Sequence, residues 1–395
     1  MKSIKINIFL LHRTLLTGTF LFFTFFPDSL NYTFITKYDL FFNLSITCII
    51  VFYILHYRKI DKWYLLLITF LSIQLISTVL HHGHIAFAIW GKGILLFTAC
   101  IGIQWAYNYN EKLFLKTVYL FFYSLIFINF ITLLLFPNGM YEDIRGITDT
   151  NYFLGNYNGF IIYIFPALIT GYLYFKKYTN KLPPGYLFLW VISLLTFIIK
   201  RSATSLIGLS IFGIYILFFN TQKSHLFFNI KSYLAANIAF FYFFVWNSSN
   251  NQILNLVTSL IGKDITFTGR TLIWKNAKYH IYDCWLIGNG LEKAETITNK
   301  LGFIQATSAH NLMLDLLYKT GFLGFIILSI PFFIFLNNLK KINNIKIRYS
   351  LEAFCGILLL MSQFEAYNLK FILFIFTILY MYTCENRKSK AGKFD

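Results

Sequence analysis

Apolar runs of about 20 residues recur along the chain, and no other feature restricts its fold as strongly. At 1.5 Å per residue, a helix of about 20 residues crosses a hydrocarbon layer about 30 Å thick. Of the 395 residues, 57% are hydrophobic and 13% are charged, whereas a soluble domain is about 25% charged. These values exclude a soluble, disordered or disulfide-based protein. Twelve membrane spans are predicted, at roughly 8–26, 38–56, 63–80, 85–106, 113–136, 157–175, 185–199, 202–219, 233–247, 311–336, 351–367 and 371–383.

The distribution of positive charge predicts how these spans are oriented. With the N-terminus inside, 21 of the 34 lysines and arginines lie on the cytoplasmic side and 12 on the outer side. Short cytoplasmic loops of membrane proteins carry such an excess, so both termini are expected in the cytoplasm. Because the charge is spread over several short segments, the lipid bilayer explains it and no nucleic acid is expected as a partner. The first span is interpreted as a retained anchor helix, since no small-residue cleavage site follows it.

One connection differs from the short loops elsewhere: residues 248–310, about 60 residues predicted to lie on the outer side. Loops of this length are usually functional. The chain is therefore divided into nine transmembrane helices over 1–247, a large extracytoplasmic loop with catalytic elements over 248–310, and three helices with a basic cytoplasmic tail over 311–395. The predicted fold is an all-α polytopic membrane protein with about 12 transmembrane helices, whose one large loop contains short helices.

Within the large loop, residues 270–285 show the apolar period of an amphipathic helix. The polar, glycine-rich segment Gly288–Gly290 is expected to end this helix. A further helix is expected to begin near Ala309–His310 and to run through Gly321 into the next span.

Five polar side chains on the predicted outer side could take part in chemistry. Arg145 lies among loop acids and could simply pair with one of them. Lys200 and Arg201 stand between two apolar spans, where adjacent cations cost free energy unless they are paired or solvated, although they could also extend to the membrane surface. Arg270 is expected on a helix's first turn, where free N–H groups, the helix dipole and a guanidinium form an anion site. His310 could exchange a proton near neutral pH, although single histidines are more often structural.

Other polar residues have weaker claims. Glu365 is a possible partner for any of the arginines, and Lys92 lies inside a predicted span. His81, His82 and His84 form a cluster that is more simply read as an interfacial polar turn than as a metal site, since metal binding needs a fourth ligand in fixed geometry. Among the cysteines only Cys284 is predicted outside, so no outer intrachain disulfide is expected. The sequence has no nucleotide-binding, zinc-protease or serine-nucleophile motif.

Several of these segments together resemble the O-antigen ligase/polymerase family of bacterial membrane proteins. The common pattern is an arginine before a Trp-containing helix, a Gly-x-Gly, a His-Asn that opens a helix, and a later Gly-x-x-Gly. A loop and a turn of the chain, around Arg145 and Lys200, match the family more loosely. The matching segments are Thr268-Gly-Arg-Thr-Leu-Ile-Trp274, Ile287-Gly-Asn-Gly290, Ser308-Ala-His-Asn311, Lys319-Thr-Gly-Phe-Leu-Gly324, Lys200-Arg-Ser-Ala-Thr-Ser205 and Arg145-Gly-Ile-Thr-Asp-Thr-Asn151.

The resemblance implies a transferase in the bacterial inner membrane that acts on undecaprenyl-diphosphate-linked glycans without metal, nucleotide or other cofactor. Its polymerases extend a lipid-linked glycan, as in O-antigen or capsule synthesis, and its ligases transfer the glycan to lipid A core of lipopolysaccharide. For a polymerase, a chain-length regulator protein is a further expected partner. A transporter of lipid-linked oligosaccharide is the hypothesis from another class, and it is disfavoured because no internal repeat is found and the cations gather on one face.

We assign roles to six residues on the combined reasoning from residue chemistry and resemblance. Arg270 and Arg201 are expected to stabilise the diphosphate leaving group, since arginine stays charged and binds phosphate with two N–H groups. His310 is expected to be the base for the acceptor hydroxyl. The predicted substrate-binding residues are Arg145, Lys200 and Asn311.

Overall fold

The computed structural model of the chain describes residues 14, 17–22, 24–32, 62–82, 100–104, 106–108, 110–142, 151–247, 269–303 and 306–391. The predicted span 38–56, most of the predicted span 85–106 and the loop segment 248–268 lie outside these residues. So do Arg145, Lys92 and His84.

The described residues are mainly helical. The one sheet among them is an antiparallel pair, β1 (Asn151–Tyr152) and β2 (Gly155–Asn156). Short 3-10 helices occupy Asp28–Tyr32 and Tyr157–Gly159, and π-helical turns extend two helices over Tyr215–Phe219 and Phe241–Trp246. The α-helices are α1 (Lys62–His82), α2 (Glu111–Leu135), α3 (Ile161–Tyr178), α4 (Pro184–Ile199), α5 (Ala203–Ile214), α6 (Gln222–His225), α7 (Ile230–Phe240), α8 (Arg270–Asp283), α9 (Ala294–Leu301), α10 (Leu312–Leu339), α11 (Ile345–Met361) and α12 (Leu369–Ala391).

Length and composition identify membrane helices among these elements. Within the described ranges, four helices are long and apolar enough to cross a bilayer: Lys62–His82, Glu111–Leu135, Tyr157–Tyr178 and Leu312–Leu339. Four shorter helices are also apolar: Pro184–Ile199, Ala203–Phe219, Ile230–Trp246 and Leu369–Cys384. The protein is therefore a helical membrane protein, while the twelve-span arrangement and its loop layout stay predictions.

The chain packs into two compact units. The first comprises Met1–Lys59, Leu95–Leu206 and Asn368–Tyr382, and the second comprises Ile60–Ile94, Ile207–Tyr367 and Thr383–Asp395. The division predicted from the sequence follows loops rather than packing, and it stays a prediction.

In the first unit, α2 packs along α3, and α4 packs against both helices. Aromatic rings fill this core: the ring centroids of Phe25 and Phe122 lie 5.3 Å apart, and those of Tyr163 and Phe371 lie 4.8 Å apart. Buried Asn129 of α2 accepts a hydrogen bond from the amide of Leu154 at 2.9 Å. This bond fixes the β1–β2 hairpin to the helix, because a buried amide side chain is stable only when it is hydrogen-bonded.

In the second unit, α1 packs along α10, α7 packs on α11, and α8 packs on α9 and α10. The predicted apolar stripe of α8 is confirmed, since Ile273, Ala277 and Ile281 are all buried. They join Trp274 of the same helix and Leu314 of α10 in one apolar cluster. A helix with only one apolar face is held by such packing rather than by its own propensity.

The segment between α8 and α10 differs from the prediction in several places. Helix α8 ends at Asp283, so the expectation that Gly288–Gly290 ends it was wrong. Helix α9 was not predicted. Helix α10 begins at Leu312, and Gly321 interrupts it with φ 60° and ψ −167°. These values are far from helical, so α10 consists of two helical pieces joined at Gly321.

Candidate functional site

The turn between α4 and α5 gives Arg201 a left-handed backbone, with φ 51°. The amide of Arg201 donates to the carbonyl of Ile198 at 3.2 Å, and the amide of Ser202 donates to that of Phe197 at 3.1 Å. This pair of bonds defines the Schellman helix end, whose left-handed residue is usually glycine. A residue with a Cβ costs about 1–2 kcal/mol in this conformation.

The two cations of this turn have different surroundings. The ammonium of Lys200 donates to the carbonyl of Pro137 at 2.7 Å and lies 4.4 Å from the ring centroid of Tyr152. These contacts hold the ammonium of Lys200 in place. Only its remaining N–H groups are available for the predicted binding of substrate. Arg201 is exposed, and its guanidinium has no ion pair or hydrogen bond with any residue that the structure describes. Its charge is therefore available to a ligand.

Arg270 lies in the second unit, as the first residue of α8. The preceding Gly269 is the N-cap, with φ 80°, and a Cβ there would lie 2.5 Å from the ring of Phe303. Only glycine fits this close approach in this backbone conformation. The prediction that Thr268-Gly269 precedes a helix with Arg270 on its first turn is confirmed for Gly269 and Arg270, while Thr268 lies outside the described residues. A positive side chain is unfavourable at this end of a helix dipole, so an anion is needed nearby.

Glu365 supplies that anion and joins Arg270 to His310. Its Oε1 lies 2.5 Å from Nη2 of Arg270, and its Oε2 lies 3.4 Å from Nδ1 of His310. The sequence prediction that Glu365 could pair with one of the arginines is confirmed by the first contact. The three side chains are 16%, 17% and 28% exposed for Arg270, Glu365 and His310, so the charges are partly shielded yet reachable by solvent.

His310 is held in this place by a strained loop. Its φ is 46°, and its amide donates to the hydroxyl of Ser308 at 3.3 Å. Asp315, one turn into α10, accepts from the amide of Ala309 at 3.2 Å and pairs with Lys319 at 2.6 Å. Left-handed non-glycine residues persist only when their surroundings fix them, and they are concentrated at functional sites.

Asn311 holds the segment that carries Glu365. Its Oδ1 caps α10 by accepting from the amide of Leu314 at 3.0 Å, and its Nδ2 donates to the backbone oxygen of Gln363 at 3.0 Å. The amide of Leu312 donates to the carbonyl of Ser362 at 2.8 Å. These bonds tie the start of α10 to residues 362–363, and Glu365 follows two residues later. The buried side chain of Asn311 thus has a clear positioning role, and its predicted contact with substrate stays a prediction.

The Gly-x-Gly segment supports the broken helix. The amides of Asn289 and Gly290 donate to the carbonyls of Tyr318 and Lys319 at 2.7 and 3.1 Å, so the break in α10 keeps its backbone bonds. A Cβ on Gly288 would lie 2.5 Å from the amide nitrogen of Gly321. The glycines therefore serve close backbone approach rather than the end of α8.

Glu292 is the centre of a second polar cluster in this unit. Its carboxylate is fully buried and lies 2.6 Å from Nζ of Lys300 and 3.3 Å from Nε2 of His82. The hydroxyl of Tyr318 donates to it at 2.5 Å. A buried carboxylate needs such partners, and these link α1, α9 and the first half of α10.

The predicted histidine cluster is not a loop. His81 and His82 lie in the last turn of α1. Nδ1 of His81 lies 2.8 Å from the carbonyl of Ser77, which leaves Nε2 facing the sulfur of Cys284 at 3.5 Å. Within the described part of the chain, no group of three or more His, Cys, Asp or Glu side chains could hold a metal ion.

The geometry thus brings Arg270, His310 and Asn311 together in the second unit, while Lys200 and Arg201 belong to the first. Sequence reasoning missed Asp315 and Gln363. The sequence did contain a local indication for Asp315, since a carboxylate four residues after the N-cap can accept a hydrogen bond from a backbone amide of the preceding loop. Gln363 had none, because its contacts depend on the tertiary packing of α10 on α11.

The apolar helices indicate a membrane protein, and in its second unit Glu365 joins an arginine at the start of one helix to a histidine just before another. Residues 188–329 match the family model for O-antigen ligase. This match supports the resemblance to the O-antigen ligase/polymerase family that the motifs indicated. Members of this family are glycosyltransferase-like enzymes. A search of curated proteins gives no significant match.

Proposed function

We propose that the protein is a glycan polymerase of the bacterial cytoplasmic membrane. It transfers a polysaccharide chain from undecaprenyl diphosphate onto the next lipid-linked repeat unit at the outer leaflet. The observation that supports this proposal is the bridge from Arg270 through Glu365 to His310, because it joins an anion-binding group to a base.

The arginines act on the leaving group. As the bond between the anomeric carbon and the diphosphate oxygen breaks, its electron pair stays on the diphosphate. Arg270 at the start of α8 stabilises that charge, since a fixed guanidinium in a partly shielded place binds phosphate oxygens through two N–H groups. Exposed Arg201 is the second cation that the sequence assigns to the leaving group. No nucleotide is needed, because the donor already contains its leaving group.

His310 acts on the acceptor. A carboxylate accepts, so its contact with Nδ1 of His310 places a hydrogen on that nitrogen, and in the neutral imidazole Nε2 then carries the lone pair. Nε2 takes the proton of the acceptor hydroxyl while the hydroxyl oxygen bonds to the anomeric carbon. Glu365 then stabilises the imidazolium that is formed. The 3.4 Å contact is long, as catalytic hydrogen bonds often are before substrate binds.

The reaction so described is metal-independent and inverts the anomeric centre, because the acceptor attacks directly. A polymerase holds two lipid-linked diphosphates at once and needs more than one pair of cations. Arg270, Arg201, Lys200 and Arg145 would supply four. A chain-length regulator protein is the proposed partner.

A ligase that transfers the glycan to lipid A core is the second candidate, favoured by the description of the matching family model. Deleting the gene separates the two functions. Loss of a polymerase leaves surface glycan with one repeat unit or none, whereas loss of a ligase leaves long polymer on the undecaprenyl carrier. Long carrier-linked polymer in the deletion strain would overturn the polymerase assignment and leave the transferase chemistry intact.

The transferase chemistry is tested with purified protein and defined lipid-linked repeat units. His310→Ala is expected to lower the transfer rate at least about hundredfold, the usual contribution of a positioned base. His225→Ala is the matched control, because His225 also pairs with a glutamate, Glu352 at 2.9 Å, within the same unit. Near-normal transfer by the His310→Ala protein would rule out the base assignment.

A further inference from the structure

Glu365 contacts Nη2 of Arg270, a donor that an anionic ligand of this guanidinium would also use. Its two oxygens are divided between two cations, with Oε1 on Nη2 of Arg270 and Oε2 on Nδ1 of His310. Carboxylate and phosphate oxygens bind a guanidinium through the same N–H fork. A phosphate that binds Arg270 must therefore displace Glu365 or share the fork with it.

We propose that Glu365 is an internal anion that the substrate's diphosphate displaces from Arg270, after which Glu365 bonds to His310 alone. This inference rests on the proposed function, since it takes Arg270 as the diphosphate site. Glu365 is then a positioning residue, because donor binding at Arg270 changes the contact between Glu365 and His310.

The location of Glu365 suits such an exchange. Helix α11 ends at Met361 and α12 begins at Leu369, so Glu365 lies on the linker between two helices. Within the described residues, both partners of its carboxylate are side chains, which can change rotamer while the backbone stays in place. Asn311 fixes the neighbouring Gln363, so the linker remains beside His310 when Arg270 turns away.

The exchange has a chemical consequence. Before donor binding, the negative charge of Glu365 is divided between Arg270 and His310. When the diphosphate holds Arg270, the whole charge is available to His310 and stabilises the imidazolium that forms during attack. Donor binding should therefore precede productive acceptor deprotonation, which prevents the base from acting before a glycan is in place.

The first test is equilibrium binding of geranyl diphosphate, a soluble prenyl diphosphate, to the full chain in detergent. Glu365→Gln removes the competing charge and is expected to bind about tenfold more tightly, a change equivalent to about 1.4 kcal/mol. Arg270→Ala is expected to bind about tenfold more weakly. Glu352→Gln is the matched control with unchanged affinity, because Glu352 pairs with Arg348 and His225 in a similar trio of the same unit.

The second test is a split between binding and rate. Glu365→Gln is expected to lower kcat about hundredfold while donor binding tightens, because His310 loses its carboxylate. A purely structural role would weaken both. Glu365→Asp keeps the charge and is expected to return the affinity close to that of the unchanged protein. Glu365→Ser is the second variant if the glutamine protein does not accumulate, since it also removes the charge.

The outcomes separate the exchange from the function on which it rests. Weaker or equal binding by Glu365→Gln, together with weaker binding by Arg270→Ala, overturns the exchange and leaves Arg270 as the diphosphate site. Unchanged binding by Arg270→Ala overturns that site and the exchange with it. Tighter binding by Glu352→Gln would also overturn the exchange, since it would show that loss of a carboxylate elsewhere in the unit has the same effect.

Discussion

Replacing Arg201 separates its charge from its backbone strain. Arg201 occupies the left-handed position of the Schellman motif after α4, with φ 51°. Arg201→Ala removes the guanidinium and keeps the Cβ, so the strain remains. Arg201→Gly removes both. Both variants lack the guanidinium, so any loss of transfer that they share reports on the guanidinium.

The size of the difference follows from the geometry. The Cβ costs about 1–2 kcal/mol in the left-handed region, and glycine returns roughly 0.5–1 kcal/mol of this through the greater freedom of its unfolded chain. The glycine variant should thus exceed the alanine variant in free energy of unfolding by about 1 kcal/mol. For a chain of this size, that corresponds to a thermal midpoint about 1 °C higher.

The assay measures both quantities on the same preparations. Thermal midpoints are recorded in detergent, and transfer is measured with defined lipid-linked repeat units. Both variants should lose transfer at least about hundredfold, and the glycine variant should be the more stable. Asn180→Gly is the control, because Asn180 is also left-handed, with φ 56°, and lies in the α3–α4 turn. It should keep full transfer.

Two results would refute the reasoning. If the glycine and alanine variants of Arg201 melt at the same temperature, the left-handed backbone is not strained. If Arg201→Gly keeps normal transfer, the guanidinium does not serve the reaction. Stabilisation with loss of activity is expected where a strained residue is retained for function.

Three further predictions concern packing, metal and topology. Gly288→Ala should destabilise the protein by more than about 2 kcal/mol, since its Cβ would meet the backbone of Gly321 at 2.5 Å; Gly185→Ala, with open space around it, should be neutral by the same thermal assay. Chelator should leave transfer in detergent unchanged, and activity that returned only with added Mg²⁺ or Mn²⁺ would reveal a carboxylate site. A reporter fused after Asn250 should behave as extracytoplasmic, and cytoplasmic behaviour would reverse the predicted topology.

Local patterns in the sequence were sufficient for helix α8 of the second unit. The stripe of Ile273, Ala277 and Ile281 identified the buried face of α8, because an amphipathic helix repeats its apolar residues every three or four positions. Gly269 before Arg270 indicated the start of that helix. An arginine at a helix N-terminus needs an anion nearby, and this predicted an anionic partner for Arg270. The carboxylate of Glu365 is such an anion.

Other features depend on contacts between distant segments, and no local pattern indicates them. Gly288 looked like a helix end, but it lies against Gly321, where two backbones approach closely. The bond from Asn311 to Gln363 joins residues 52 apart in the chain. The sequence also could not show that Lys200 is held by Pro137 while Arg201 is exposed, since both cations stand side by side in the same turn.

The residues that the structure describes include two trios of arginine, glutamate and histidine, and their comparison shows why residue type alone does not identify the site. Glu352 pairs with Arg348 and His225, but its carboxylate is 5% exposed and also accepts from the backbone amide of Ile230 at 3.0 Å. That bond connects Glu352 of α11 to the start of α7. The trio of Glu352, Arg348 and His225 therefore stabilises the packing of α7 on α11.

The second trio is built differently. Glu365 is 17% exposed, and within the described residues its carboxylate bonds only to the side chains of Arg270 and His310. Side-chain partners can be exchanged for a ligand, whereas a backbone amide in a helix start cannot move away without unfolding that start. His310 also has a strained backbone, with φ 46°. Exchangeable partners, partial exposure and a strained histidine together favour Glu365 over Glu352 as the position of the proposed chemistry.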